Sequence, residues 1–409
     1  MARINLFNPF SSPEYENRLT WAFLVAFKYA PLFQKLIREL VESNLPPGDR
    51  EHGNIWESAR VSTQMKRVDS PPSRLVSVLL TDETIGHIPV EWSDRDPVYD
   101  GVIEYPDGLT LIIENKLSHA DVWREQLCPS RISFSSEHIS DIFLHDSAIC
   151  LEWSNILEEV LKYTDSGMDS FANREIFKDF LSFVEENHPG LTPYRTFRLS
   201  GNREQALDRR TRLLVDKLGD LSKLESHDGW YLFRPDKIAE RIGIWADTVS
   251  TLDVKLWPAA TVNQARRFYK EVNKTALLGL DDWKVEPNLR FSFIQRPLID
   301  AKTTWPTDRY FDYFADRQSS YGQMDEATLV PLAKQWENEG LIASDDLQKL
   351  QDQFNSTNRK TLNVIPGFTV SRTWNLNEVI DLEEQGRLEE CIIEALSTPL
   401  SSWGETLFN

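Results

Sequence analysis

The chain reads as an α/β protein of two domains, residues 1–199 and 200–409, the second of them α+β. Three observations carry that reading. The length, 409 residues, exceeds what one hydrophobic core ordinarily holds. Through the first half, segments with helical apolar spacing alternate with short β-rich runs. From about residue 200 the texture changes to Trp, Pro and short alternating strands, interleaved with helical stretches. At 41% hydrophobic and 27% charged residues, the composition is that of a globular chain with ample material for a core.

Each element follows from local chemistry. Ser12-Pro13 opens a helix expected over residues 12–43, since a cap residue is followed by the residue best tolerated in a first turn. Leu19, Phe23, Ala26, Phe27, Ala30, Phe33, Ile37 and Leu40 make its core stripe, and Glu16 lies on the same face. An acid on a buried stripe is unusual. NLPPGDREHGNI (44–55) is loop, ESARVSTQMKRV (57–68) alternates as a strand, and LVSVLLT (75–81) fits either a strand or a short buried helix. A hairpin occupies 97–117, and a helix is expected from Ser118 to about Leu127. IFLHDSAICLEW (142–153) reads as a strand leading into a helix over 154–163, and REIFKDFLSFVEEN (174–187) as a helix stopping near His188-Pro189-Gly190. In the second half, WYLFR (230–234), DVKLW (253–257) and LRFSFIQ (289–295) are strands, with helices over 209–218 and 262–272.

Charge and composition narrow the function. A formal net charge of −19 repels nucleic acid over most of the surface. A nucleic-acid role must therefore work through a local groove, a metal ion or a partner. Cys128, Cys150 and Cys391 are too scattered for a disulfide framework or a four-thiolate zinc site. The apolar runs fall far short of the ~18 residues a membrane span needs, and MARINLFNPF has no secretory pattern, so a cytoplasmic protein with no membrane association is expected. Neither a Gly-rich phosphate loop nor a serine elbow is present. His119, His138 and His145 with Asp141 and Asp146 match no ligand spacing. The Arg203, Arg209, Arg210, Arg212 and Lys217 group, and Arg266, Arg267 and Lys270, read as solvated helix faces rather than a phosphate track. For Trp230, Tyr231, Trp245 and Trp257, core packing is the simpler account, with base stacking or a protein partner as alternatives.

The chemistry concentrates in PVYDGVIEYPDGLTLIIENKL (97–117). Pro106-Asp107-Gly108 is a turn signal between two β-rich segments, so they form an antiparallel hairpin. A register pairing Tyr105 with Leu109 sets Asp100 opposite Glu114, and Lys116 shares their face because side chains alternate with a period of two. Opposed carboxylates repel unless a cation lies between them. Mg2+ suits such a pair: it takes one or two carboxylates and keeps waters that a phosphate can displace. The alternative is a solvated sheet face with a cross-strand salt bridge, against which stands the Leu-Ile-Ile run before Glu114.

Asp100 followed by Glu114-Asn115-Lys116 resembles the signature of the PD-(D/E)XK nuclease superfamily, an Asp followed after a short hairpin by an acid, any residue and Lys. Glu16, in ENRLTWAFL, resembles an additional N-terminal acid of many branches, and Gln126, in WREQL, the Gln that some place after the Lys. Two departures stand out. Ser130 occupies the position where those branches have Tyr, and the Pro expected before the Asp is displaced to Pro97. The resemblance covers residues 12–190 and implies a restriction-endonuclease-like core, a mixed central sheet flanked by helices. It implies Mg2+ or Mn2+ held by Asp100, Glu114 and the main-chain carbonyl of Asn115, with Lys116 assisting the attacking water and Glu16 and Gln126 in support. The expected activity is hydrolysis of DNA, with RNA as the other candidate substrate, in a bacterial restriction or anti-phage setting. Residues 200–409 would recognise a partner protein or a DNA structure, and two-strand cutting would favour a homodimer. The alternative is a non-catalytic interaction protein on the same fold.

Overall fold

The computed structural model describes residues 15–46, 59–68, 72–118, 122–134, 139–165, 171–201, 203–247, 250–293, 297–356 and 360–407. The chain divides into two compact units, Met1–Arg195 and Thr196–Asn409. Each unit is mixed helix and sheet with a sheet of its own. Among the described residues no helix is long and apolar enough to cross a membrane.

In the first unit the single helix expected at the N-terminus is two, α1 (Tyr15–Tyr29) and α2 (Pro31–Asn44). Pro31 explains the break. It has no N–H to donate and forces the preceding residue out of the helical region, and Ala30 is accordingly extended, with φ −114° and ψ 99°. Both helices still bury the expected stripe, including Phe23, Phe27, Phe33 and Ile37.

Six strands build the first sheet: β1 (Arg60–Met65), β2 (Arg74–Thr81), β3 (Tyr99–Glu104), β4 (Leu109–Asn115), β5 (Phe143–Leu144) and β6 (Ile149–Glu152). Their order is β1-β3-β4-β2-β5, with β6 also paired to β2. β1, β3 and β4 run antiparallel in turn, whereas β2 is parallel to β4, β5 and β6, so the sheet is mixed. LVSVLLT is thereby a strand; apolar but for Ser77 and Thr81 and buried throughout, it is what a strand covered on both faces requires. The segment 142–153 holds two short strands where one was expected, and His145, between them, is buried with Nδ1 bonded to the Ser147 carbonyl at 2.7 Å.

The helix expected over 118–127 is a single turn, α3 (Arg124–Leu127), with residues 119–121 outside the described set. Trp123 offers it no side-chain cap, and Pro129 holds Cys128 extended, so the turn is stopped at both ends. Helices α4 (Trp153–Asp165) and α5 (Phe171–Asn187) complete the unit. Phe33 joins α2 to α1 and α5 through edge-on contacts with Phe23 and Phe180, each at 5.5 Å between ring centroids.

The second unit opens with α6 (Phe197–Ser200) and α7 (Glu204–Ser222), then β7 (Glu225–His227), β8 (Tyr231–Phe233), β9 (Arg241–Asp247) and β10 (Thr251–Leu256). Next come α8 (Val262–Glu271), α9 (Lys274–Leu278), β11 (Lys284–Ser292), β12 (Pro297–Lys302), α10 (Thr307–Asp316) and β13 (Gly322–Asp325). It closes with α11 (Glu326–Asn338), α12 (Ser344–Ser356), β14 (Thr361–Asn375), α13 (Leu376–Glu384) and α14 (Leu388–Ser402). The strands form one antiparallel sheet in the order β12-β11-β14-β10-β9-β8-β7, with β13 on β14. Basic residues of α7 are tied into the unit, Arg210 to Glu383 and Lys217 to Glu389, each at 2.6 Å.

Candidate metal centre in the first unit

The hairpin that carries the site is set by its turn. Gly108 sits at φ +86°, a conformation glycine adopts without penalty, and its N–H donates to the Tyr105 carbonyl at 3.0 Å. Tyr105 N–H donates to Leu109, and the ladder runs from Glu104↔Thr110 to Gly101↔Ile113, which is the expected register. It ends one step before Asp100 and Glu114. There the Asp100 carboxylate replaces a strand carbonyl, accepting the Asn115 N–H on Oδ2 at 3.0 Å.

Asp100 is half-buried, whereas Glu114 is only 4% exposed. One Glu114 oxygen, Oε2, is buried and has no hydrogen-bond partner. Burial pushes the Glu114 carboxyl up to about 8, and the negative Asp100 beside it pushes the same way. The half-buried Lys116 ammonium opposes them. Without a cation, then, the Glu114 carboxyl favours its protonated form.

Asn115 points the other way. Its side chain is fully buried, Nδ2 donating to Thr20 Oγ1 at 3.0 Å and Oδ1 accepting from Trp153 Nε1 at 3.1 Å. That places α1 and α4 on the face of β4 opposite Glu114 and clamps the peptide between Glu114 and Lys116. Because its amide is committed to the fold, Asn115 would reach a metal only through its main-chain carbonyl. Lys116 N–H donates to Leu80 at 2.9 Å, extending the clamp to β2.

Sequence reasoning missed a network that fixes Tyr99, the residue before Asp100. The hydroxyl of the fully buried Tyr99 accepts the Ser130 N–H at 2.9 Å and bonds Ser133 Oγ at 3.1 Å. Ser130 Oγ donates to the Arg95 carbonyl at 2.5 Å, and the Arg95 guanidinium donates to the Gln126 carbonyl at 2.8 Å. Ser130, standing where the signature branches have Tyr, is thus a node of this network. The signal available in the sequence was Tyr99 itself, an aromatic residue beside the acid.

The two supporting candidates differ in what can be said of them. Gln126, half-buried in α3, makes no side-chain hydrogen bond to Asp100, Glu114 or Lys116 among the described residues. Glu16 falls in the first turn of α1, and its side chain lies outside the described set, as do His119 and His138. Among the described residues no group of three or more His, Cys, Asp or Glu is placed to hold a metal. Around the site, three exposed cations pair with carboxylates of the segment leading into β3: Lys66 with Asp96 and Arg131 with Asp94 at 3.1 Å, and Arg124 with Glu91 at 3.2 Å. Comparison with protein-family models, with curated proteins and with solved structures finds no match for the chain.

Proposed function

We propose that the first unit is a metal-dependent nuclease of the restriction-endonuclease-like kind, hydrolysing phosphodiester bonds of DNA in the cytoplasm. The observation that carries this reading is the nearly buried Glu114 with an orphaned Oε2, beside Asp100 and within reach of the charge of Lys116. Two carboxylates enclosed in this way need a proton or a cation between them. A hard divalent ion fits the donor set, because oxygen is the only ligand atom offered and an ion such as Mg2+ needs few protein ligands. Asp100, Glu114 and the main-chain carbonyl of Asn115 would hold it. Bound there, Mg2+ or Mn2+ supplies Lewis acidity toward a phosphate oxygen and toward water.

The chain's own groups do the rest. With a cation held there, Glu114 would act as an anion alongside Asp100. The Lys116 ammonium neutralises charge developing on the phosphate and orients the attacking water by hydrogen bonding. The Asn115 clamp on Thr20 and Trp153, and the network that fixes Tyr99 next to Asp100 in the chain, hold the strands that carry the donors. Glu16 and Gln126 would support the site from its margin. The setting that the PD-(D/E)XK resemblance suggests is restriction or anti-phage defence, with the second unit choosing the target and paired copies cutting two strands.

The test is incubation of the purified full chain with linear, circular and single-stranded DNA, and with RNA, in Mg2+ or Mn2+ against EDTA. Cleavage that requires the metal and is lost in Asp100→Asn supports the reading. A second reading, a non-catalytic interaction protein, is favoured by the lack of a third acid among the described residues; binding indifferent to metal and no cleavage of any substrate would establish it.

A further inference from the structure

The second unit carries an aromatic cluster that the first unit's site does not use. Strand alternation sends Leu232, Ile242, Ile244, Leu252, Val254 and Leu256 into the core. Tyr231, Gly243, Trp245, Asp253 and Lys255 alternate with them onto the opposite face, with Trp257 just past the end of β10. The core packing expected of Tyr231, Trp245 and Trp257 is therefore not what they do. All three are half-buried and pack on one another. Tyr231 and Trp245 meet at 5.7 Å between centroids, Trp245 and Trp257 at 5.6 Å, and Tyr231 and Trp257 at 6.0 Å.

Gly243 lies directly beneath. A Cβ there would stand 2.1 Å from the Trp245 ring and 2.7 Å from Trp257, so the rings rest on bare backbone that only glycine provides. Cations border the patch. Arg241 lies 5.8 Å from the Tyr231 ring and makes no ion pair among the described residues. Lys255 lies 5.5 Å from the Trp245 ring and 3.2 Å from Asp253, whose carboxylate also accepts from the Thr373 hydroxyl at 2.6 Å.

We infer that this face binds unpaired nucleic-acid bases, which stack on the Trp245, Trp257 and Tyr231 platform while adjoining phosphates pair with Arg241 and Lys255. Ring spacing decides the mode. Centroids 5.6–6.0 Å apart are already in contact, leaving no room for a guest between them, as a methylammonium cage would require. The rings stand at 85°, 75° and 55° to one another, so a base must stack on the outer face of one ring at a time. The bordering cations favour an anionic ligand over a neutral glycan or a proline-rich peptide, and a duplex hides the base faces that a single strand presents. The inference rests on the second unit alone. It also gives a chain of net charge −19 a local means of holding nucleic acid.

The test uses the full chain in EDTA, which prevents cleavage, with labelled oligothymidylate or oligouridylate of about 15 nucleotides, long enough for a site of this kind. Binding read by fluorescence anisotropy should weaken with salt and quench tryptophan emission. Trp245→Ala and Trp257→Ala should each lose about tenfold or more in affinity, and Arg241→Glu should lose affinity too. If the alanine variants do not fold, Arg241→Glu decides the charge requirement and Trp245→Phe, expected to retain binding, decides the aromatic one. Unchanged affinity in Arg241→Glu, or quenching by a proline-rich peptide or an oligosaccharide but not by the oligonucleotides, would overturn the inference. Duplex cleavage is measured separately, so failure here leaves the nuclease reading standing or falling on its own assay.

Discussion

Glu114→Gln should convert a pH-dependent weakness into a pH-independent feature. The folded state raises this carboxyl from its ordinary 4.5 to about 8. Below pH 4.5 the side chain is protonated in both folded and unfolded chains, and its contribution is fully present. Between 4.5 and about 8 the folded chain keeps a proton that the unfolded chain has released, so stability is lost as pH rises through that window. At about 1.36 kcal/mol per pKa unit, the shift corresponds to on the order of 3–5 kcal/mol for a residue so fully buried. Gln keeps the shape and can donate to Asp100, but it cannot ionise. Urea unfolding followed by circular dichroism at pH 5, 7 and 9 in EDTA gives the variant-minus-wild-type difference, from which other titrating groups cancel. That difference should grow by several kcal/mol in favour of Glu114→Gln from pH 5 to pH 9. A constant offset would refute the reasoning, since it would mean that Glu114 ionises in the folded protein as readily as in the unfolded one.

Other outcomes follow from the same geometry. Lys116→Ala should fold and bind divalent metal yet cleave at least about a hundredfold more slowly, as read from initial rates on labelled DNA, because it removes a preorganised charge from the reaction and leaves the carboxylates in place. Asn115→Ala should cost about 1–3 kcal/mol in unfolding experiments, because it takes the acceptor from the buried Trp153 indole N–H. Mn2+ affinity of the wild type should rise with pH up to about 8, read from calorimetric titrations at pH 6, 7 and 8, since the metal must displace the Glu114 proton. Lys66→Glu with Arg131→Glu should weaken duplex binding and flatten its salt dependence if these exposed cations exchange their carboxylate partners for phosphates.

What could be read from the sequence was what short-range chemistry dictates. The Pro-Asp-Gly turn set the hairpin register, and the register set Asp100 beside Glu114. Pro31 was equally visible, yet the strong apolar spacing on either side of it favoured one helix over two. The Tyr99, Ser130 and Arg95 network was not legible, because its members lie apart in sequence and meet only when the segment before β3 folds against that after α3. Alternation around Tyr231, Trp245 and Trp257 was plain, but which side of a strand faces the core depends on what covers it. Leucine and isoleucine filled that role and left the aromatic rings outside.

Asp100 and Glu114 are proposed to hold a divalent cation together. Calorimetric titration of Mn2+ into the metal-free full chain at pH 8 tests this directly, with Asp100→Asn and Glu114→Gln measured alongside. The account predicts one saturable site in the wild type, with proton release seen as a buffer-dependent heat, and loss of that site in both variants. Binding of equal strength in all three proteins, or none in the wild type, would contradict it.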